Sequence, residues 1–194
     1  MGRWLPSELV GNSDRSEQRV MHQVFKLGRA ALAFGVVGVL FSGQANAGTA
    51  TANLSVTATV SAACSISTTA LAFGAYDPVG TNSATPLDGT GSVIVTCTNG
   101  AAAALTLGQG ANAGSGSTDA VPVRRMKDAA GAYLSYGLYQ DVGHATIWGN
   151  TAGTSVAQTG SGTAASVTVY GRVAAGQNVA SGAYSDTVVA TVTF

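Results

Sequence analysis

Two cysteines, one histidine and a short group of cations are the residues downstream of position 47 that could take part in chemistry. Cys64 and Cys97 could form a disulfide or hold a metal, and His144 could act as a general base. A metal or redox site would need more ligands, because residues 48–194 contain no second histidine and no Cys-x-x-Cys pair. No Ser–His–carboxylate arrangement is evident around His144, so we interpret it as a histidine of a surface loop.

Arg124, Arg125 and Lys127 form a cationic cluster in a turn-rich stretch that also contains Asp119 and Asp128. Such a cluster could bind an acidic partner, but the neighbouring carboxylates favour a solvated loop. The aspartates of this region are scattered, without the spacing of a calcium-binding loop. The cluster therefore predicts no ligand site.

Tyr133, Tyr136 and Tyr139 could form a platform for carbohydrate. On a strand, alternate residues face opposite sides, so Tyr136 would face away from the other two. We therefore predict core and interface packing for these rings and for Trp148. The sequence predicts no catalytic residue, no cofactor, no metal and no small-molecule substrate, and hence no enzyme.

The start of the chain has the organisation of a secretory signal peptide. Lys26 and Arg29 precede an apolar run at residues 30–41, and residues 42–47 end in a small-x-small cleavage pattern. The run has 12 residues, whereas a membrane-spanning helix needs about 20. The pattern favours a signal peptide over a transmembrane anchor.

We predict that residues 1–47 are a leader cleaved after Ala47. A leader counted from Met1 exceeds the usual length of roughly 15–30 residues, whereas one counted from Met21 does not. Residues 1–20 lack apolar periodicity, so Met21 is the predicted start; a long polar n-region is the alternative. The predicted route is export to the periplasm, and from there to the cell surface or the medium.

The exported part, residues 48–194, has a composition that limits its partners and its size. It carries four Lys/Arg and six Asp/Glu, a formal charge of −2, which argues against nucleic acid or an anionic membrane as partner. Its 147 residues suit one domain with a single core. Because Cys64 and Cys97 both lie in it, an oxidising compartment favours a disulfide between them. That bond should stabilise the fold by somewhat less than about 4 kcal/mol.

Short alternating runs separated by turn residues predict an all-β domain, as a sandwich or barrel. Asn99-Gly100, between two such runs, predicts a hairpin. The predicted strands cover residues 52–66, 71–73, 92–98, 103–108, 133–140, 166–174 and 184–194.

The two ends of the exported part carry an unusual pair of strand patterns. Apolar or small residues occupy every second position from Ala52 to Ile66, and a single strand of that length would reach about 50 Å. Strands usually stop within about 10 residues. At the other end Val188, Ala190, Val192 and Phe194 share one face, and the sequence stops on that strand. The pair suggests a sandwich with one strand too few at one end and one too many at the other.

Motifs in a fixed order along residues 54–194 give the sequence a family resemblance. The chain resembles the spore coat protein U domain family, whose relatives include the major pilin subunits of archaic chaperone–usher pili. Each motif alone is weak, but their order and spacing make the resemblance strong. The matching stretches are Val60-Ser-Ala-Ala-Cys-Ser-Ile66, Leu71-Ala-Phe-Gly-Ala-Tyr-Asp-Pro78, Gly91-Ser-Val-Ile-Val-Thr-Cys-Thr98, Arg125-Met126, Tyr133-Leu-Ser-Tyr-Gly-Leu-Tyr-Gln-Asp141, Trp148-Gly149, Val169-Tyr-Gly-Arg-Val173 and Gly182-Ala-Tyr-Ser-Asp-Thr-Val188.

The resemblance implies an immunoglobulin-like β-sandwich that lacks its final strand. In such pilins an N-terminal extension fills the open groove of the next subunit, a periplasmic chaperone fills it beforehand, and an outer-membrane usher catalyses the exchange. An arginine before a methionine recurs at the place of Arg125, which implies a structural hydrogen-bonding role.

The resemblance also divides the exported part. Residues 48–58 are the predicted donor strand, with Ala52, Leu54, Val56 and Ala58 as its groove-facing residues. Residues 59–194 are the predicted sandwich, whose own first strand covers about 59–66. The predicted groove edge is the C-terminal strand with Val188, Ala190, Val192 and Phe194.

Two functions are consistent with this reading of the sequence. The first is a subunit of a secreted surface fibre that assembles head-to-tail for adhesion or biofilm, with identical subunits, a chaperone and an usher as partners. The alternative is a monomeric coat or matrix protein whose extension fills its own groove.

Overall fold

The structure, a computed structural model, describes residues 47–194. The predicted signal peptide and the predicted start at Met21 lie outside the described residues. Within the described range the elements are eight β-strands and two single-turn 3₁₀-helices. They are β1 (Cys64–Thr69), a 3₁₀-helix (Thr81–Ser83), β2 (Leu87–Cys97), β3 (Ala102–Leu107), β4 (Arg124–Lys127), β5 (Tyr133–Tyr139), a 3₁₀-helix (Ala152–Thr154), β6 (Val156–Thr159), β7 (Ala165–Val173) and β8 (Ala190–Thr193).

The strands form two antiparallel sheets that pack as a sandwich. One sheet has five strands in the order β1-β2-β7-β5-β4, and the other has three in the order β6-β3-β8. The predicted all-β sandwich is confirmed. The predicted Asn99-Gly100 hairpin is wrong in one respect: the turn forms, with Gly100 at φ 79°, but β2 and β3 belong to different sheets.

The core lies between the sheets and consists of the inward residues of the longer strands. Alternation along β3 and the second halves of β2 and β7 buries every second residue, and full burial of a Val or Leu side chain contributes roughly 1.5–3 kcal/mol. Trp148 has no exposed surface, and its indole N–H donates to the Leu105 carbonyl at 3.0 Å. Core packing of Trp148 is thereby confirmed.

The first strand of the sandwich differs from the predicted 59–66. It begins at Cys64 and pairs with β2 from Cys64 opposite Cys97 to Thr69 opposite Ser92. Residues 59–63 are exposed and carry no strand, because alternation alone supplies no partner for the backbone. The ladder ends where the Thr98 N–H donates to the Ala63 carbonyl at 2.9 Å.

The disulfide joins the two residues that close this ladder. Cys64 and Cys97 are bonded to each other, at a separation of 33 positions, as the sequence predicted. Cys97 is buried at the end of β2. The bond therefore fixes the start of β1 at the point where the chain changes from exposed to paired.

The cationic cluster is the clearest correction to the sequence analysis. Residues 124–127 form β4 instead of a solvated loop, and Arg124 is only 1% exposed. Its guanidinium donates to the carbonyls of Gly108, Leu107 and Trp148, each at 2.8 Å. Burial lowers the pKa of Arg124 to about 10, so the side chain keeps its charge at neutral pH. Three acceptors compensate for the lost hydration.

A candidate interaction groove

A large apolar groove opens between the two sheets along one side of the sandwich. Its volume is about 1050 Å³. We call residues 68–76 the first rim and residues 179–188 the second rim. Six of the residues that line the bottom are buried apolar side chains of the core, namely Val93, Leu107, Leu134, Leu138, Val169 and Val173.

The first rim continues from β1 and lies against the five-stranded sheet. The side chains of Leu71 and Phe73 lie directly against glycines of the sheet. A Cβ added at Gly171 would lie 2.7 Å from a Leu71 methyl group and 2.9 Å from the Phe73 ring, too close for any side chain at that position. A Cβ at Gly91 would lie 3.0 Å from Leu71 Cβ. The glycines thus provide the space in which this rim approaches the sheet.

The second rim leads into β8 and is attached to the chain that follows β3. Val189 and Thr187 accept hydrogen bonds from the N–H groups of Gly108 and Ala111, at 2.9 and 3.0 Å. Ser185 exchanges a pair of backbone bonds with Lys127 of β4, at 2.8 and 3.1 Å. These bonds hold one edge of the rim and leave the other edge toward the groove.

Both rims contain backbone groups without a backbone partner. In the described chain, Asp186 and Val188 make no backbone–backbone hydrogen bond, and neither do residues 70–75. Paired edges are the rule for buried strands, because an unsatisfied N–H or C=O costs free energy when it loses water. The groove therefore has backbone groups without a backbone partner in both rims and an apolar floor between the rims.

One side chain links the floor to both rims. Tyr136 of β5 lines the groove, and its hydroxyl donates to the Asp186 carboxylate at 2.7 Å. Its ring meets that of Phe73 edge to face, with centroids 5.9 Å apart. Burial, and then the bond to Asp186, raise the pKa of Tyr136 well above its ordinary value of 10.0. The phenol therefore stays protonated, and remains a donor, at any physiological pH.

The structure brings only part of the predicted C-terminal edge into the groove. Val188 and Ala190 line it, whereas Val192 packs on the core outside it and Phe194 is 57% exposed. Residues 47–63 are exposed throughout: Leu54 is 87% and Val56 is 84% exposed, and Ala52 and Ala58 are exposed as well. None of these four belongs to a strand.

Sequence reasoning missed the first rim and the Tyr136–Asp186 bond. Leu71-Ala-Phe73 was predicted as a short strand, but its position opposite the second rim depends on which strands pair. The glycines at 89, 91 and 171 were the available signal, since glycine within a strand often marks the close approach of another segment. No local pattern identifies Asp186 as the partner of a residue 50 positions away.

His144 is a second correction, because it is not a surface residue. Its side chain is 6% exposed and lies between the rings of Tyr139 and Tyr170. Asp88 forms a two-point ion pair with Arg172, at 2.6 and 2.7 Å, and His144 Nε2 is 3.8 Å from the same carboxylate. The hydrogen bond from Arg172 lowers the pKa of Asp88. This cluster joins β2, β7 and the loop after β5, away from the groove.

Arg125 has the structural role that the resemblance implied. Its Nε donates to the Asn112 carbonyl at 3.1 Å and its Nη2 to the Ala113 carbonyl at 2.9 Å. Its guanidinium also lies 3.9 Å from the centre of the Tyr133 ring, a cation–π distance. Two of the predicted cations are therefore committed to the fold.

Within residues 47–194 no three His, Cys, Asp or Glu side chains are placed to hold a metal ion. No helix in the same range is long and apolar enough to cross a bilayer.

The fold and groove together define a class of protein: an immunoglobulin-like β-sandwich that lacks its final strand. Comparison with known proteins gives the family. The profile of the Spore Coat Protein U domain matches residues 50–191, and the chain belongs to that family.

A curated relative and a solved structure are similar to this chain. Protein U of Myxococcus xanthus is 55% identical over 163 residues, which cover 80% of this chain and 90% of the relative. Among solved structures, the CsuC–CsuE chaperone–tip adhesion subunit pre-assembly complex from archaic chaperone–usher Csu pili of Acinetobacter baumannii matches at 19% identity, with a TM-score of 0.49. That match covers 70% of this chain and spans 40% of the other.

Proposed function

We propose that this protein is a structural subunit of a secreted surface fibre, in which the leading segment of one copy completes the sandwich of the next. The leading segment is residues 48–58, with Ala52, Leu54, Val56 and Ala58 facing the groove. The observation that carries the proposal is the groove itself, with its apolar floor and two unpaired rims.

The leading segment has the properties that the groove requires of an occupant. It alternates apolar and polar residues, so one face can enter the floor while the other stays in water. An inserted strand can form ladder bonds with both rims. Burial of its apolar side chains would add several kcal/mol, at about 0.8 kcal/mol for each methylene group.

The proposed contact is between different surfaces of two copies. Such a head-to-tail contact does not close on itself, so it continues into a filament. Residues 59–63 connect the leading segment to Cys64, which is bonded to Cys97. A donated segment would therefore be anchored to the sandwich of its own subunit through a covalent cross-link.

The same groove accounts for the proposed partners before assembly. An exposed apolar groove with unpaired edges promotes aggregation unless it is covered. A periplasmic chaperone that lends a strand would cover it, and an outer-membrane usher would exchange that strand for a subunit's leading segment. Export by the predicted signal peptide, surface location and a role in adhesion or biofilm belong to this proposal.

A matched pair of double variants tests the proposal. Leu54→Asp with Val56→Asp places charges on the groove-facing side of the leading segment, and Ser55→Asp with Thr57→Asp places the same charges on the other side. Surface-sheared material is compared on denaturing gels without boiling. We expect a ladder of multimers for the unaltered chain and for the second pair, and loss of the ladder for the first pair. A ladder that survives the first pair would contradict the proposal.

A self-completed coat or matrix protein is the second candidate. The family description, Spore Coat Protein U domain, favours it. Residues 59–63 could span about 17 Å when extended and would form the connection to the returning segment. In that case the purified chain sediments as a monomer and the amides of residues 52–58 are protected from hydrogen exchange. A monomer without that protection would contradict both candidates.

A further inference from the structure

We propose that Tyr136 is a positioning residue of the groove, which holds the two rims at the separation that an incoming strand requires. The inference rests on the proposed function and adds to it the residue that prepares the site. Tyr136 belongs neither to the leading segment nor to β8.

The contacts of Tyr136 reach three parts of the site at once. The residue belongs to β5 of the five-stranded sheet, at the bottom of the groove. Its hydroxyl donates to Asp186 on the second rim at 2.7 Å. Its ring packs edge to face on Phe73 of the first rim, with centroids 5.9 Å apart. A rigid aromatic side chain thus stands between the rims and is bonded to one of them.

Asp186 is placed so that its side chain anchors the rim and its backbone stays free. Besides Tyr136, its carboxylate accepts from the Asn112 backbone N–H at 3.2 Å and from the Asn112 side-chain amide at 3.1 Å. Asp186 makes no backbone–backbone hydrogen bond in the described chain. The anchoring therefore leaves available the groups that a new strand would pair with.

The need for such a spacer follows from two opposing requirements. An apolar groove tends to close, because closure removes apolar surface from water. A strand that pairs on both sides needs neighbours about 4.7–4.9 Å away on each side, so the rims must stay roughly 9–10 Å apart. A side chain that resists closure keeps the groove ready and reduces the ordering cost of binding.

The experiment measures binding of a labelled peptide of residues 49–60 by fluorescence anisotropy. The acceptor is the full exported chain with Leu54→Asp and Val56→Asp, so that its own leading segment does not compete. Against this background, Tyr136→Phe keeps the ring and removes the hydroxyl. We expect it to weaken binding about 10- to 100-fold, the range for loss of a hydrogen bond to a charged group.

Two further variants separate positioning from general stability. Asp186→Asn keeps an oxygen that can accept from the phenol but removes its charge, so it should weaken binding less, by roughly 3- to 10-fold. A double variant weaker than Tyr136→Phe would assign the excess to the bonds between Asp186 and Asn112. Tyr139→Phe removes a hydroxyl from the same strand outside the groove and should leave the affinity unchanged. Thermal unfolding of every variant is recorded alongside.

The possible outcomes separate the two proposals. If the peptide fails to bind the acceptor that retains Tyr136 and Asp186, the proposed function fails and the inference fails with it. If the peptide binds that acceptor, and Tyr136→Phe and Asp186→Asn bind it equally well, only the inference is wrong. A lower melting temperature with unchanged affinity would likewise make Tyr136 a structural residue and overturn the inference. Should Tyr136→Phe not fold, Asp186→Asn decides the question by itself.

Discussion

Residues 52–62 and strand β7 have nearly the same alternating pattern and opposite surroundings. In β7 the residues Val169, Gly171 and Val173 are buried, and the residues between them are partly exposed. In the leading stretch every residue is exposed. Alternation indicates that one face of a segment will be covered, but it does not say by which molecule.

Pairing explains the difference between the two stretches. β7 lies between β2 and β5, so its backbone forms ladder bonds on both edges. Residues 55–63 have no neighbouring strand, and the ladder of the sandwich begins only at Cys64. A strand is a property of a pair of segments, and the leading stretch has the side-chain pattern of a strand without a pairing segment.

The largest effect expected separates these two stretches directly. Val173→Asp places a carboxylate at a position with no exposed surface, which should cost more than about 4 kcal/mol and abolish cooperative unfolding. Val56→Asp should change the free energy of unfolding of the monomer by less than about 0.5 kcal/mol. Thermal unfolding followed by circular dichroism, at dilutions where the chain is monomeric, measures both. Comparable losses for the two variants would show that the leading stretch is part of the subunit's own core.

The second effect concerns the boundary between the exposed and the paired chain. Replacing both Cys64 and Cys97 by alanine should cost about 2–4 kcal/mol, since the unfolded chain regains the freedom of the closed loop. The melting temperature should fall by roughly 5–15 °C. Chemical reduction of the unaltered chain is the control and should give a similar shift. An unchanged melting temperature would mean that the ladder between β1 and β2 holds the boundary without the cross-link.

The smallest effect is an alkaline pH dependence that originates in the groove. Because the pKa of Tyr136 is raised above 10.0 in the folded state, the unfolded chain loses this proton first. The folded state then binds more protons, and stability falls as pH rises above about 10. At pH 11 this effect should lower the free energy of unfolding of the unaltered chain by about 1 kcal/mol. The Tyr136→Phe variant has no phenol at this position and should not show that decrease.

Urea unfolding at pH 9 and at pH 11 measures this dependence. Arg124 acts in the opposite direction, since its pKa is lowered to about 10 by burial and the folded state releases that proton first. Arg124 is present in both chains and contributes equally to both. Because the Tyr136→Phe variant lacks the phenol, it should lose less stability between pH 9 and pH 11 than the unaltered chain. Equal losses in both chains would show that the phenol of Tyr136 titrates alike in the folded and unfolded states.

The sequence was sufficient for those features that a local pattern or a composition encodes. The all-β class follows from period-two alternation, and the family follows from ordered motifs. The disulfide follows from two cysteines in a chain with a predicted export signal, and Trp148 is buried as its type suggests. Each of these depends on residue type or on short spacing.

Two residues that the sequence could not place show where local patterns end. Arg124 was predicted in a solvated loop, yet three carbonyls from two distant segments surround its guanidinium. His144 was predicted on the surface, yet Tyr139 and Tyr170 enclose it. Charge and loop context favour exposure, and only acceptors and rings supplied by other elements reverse that preference.

The sequence by itself determined that this chain has more strand pattern at its beginning than one sandwich uses. The tertiary structure decided where the deficit lies: between residues 68–76 and 179–188, with Tyr136 between them. The physical reason is that side-chain alternation is written in each segment, whereas backbone pairing depends on which segments the fold brings side by side.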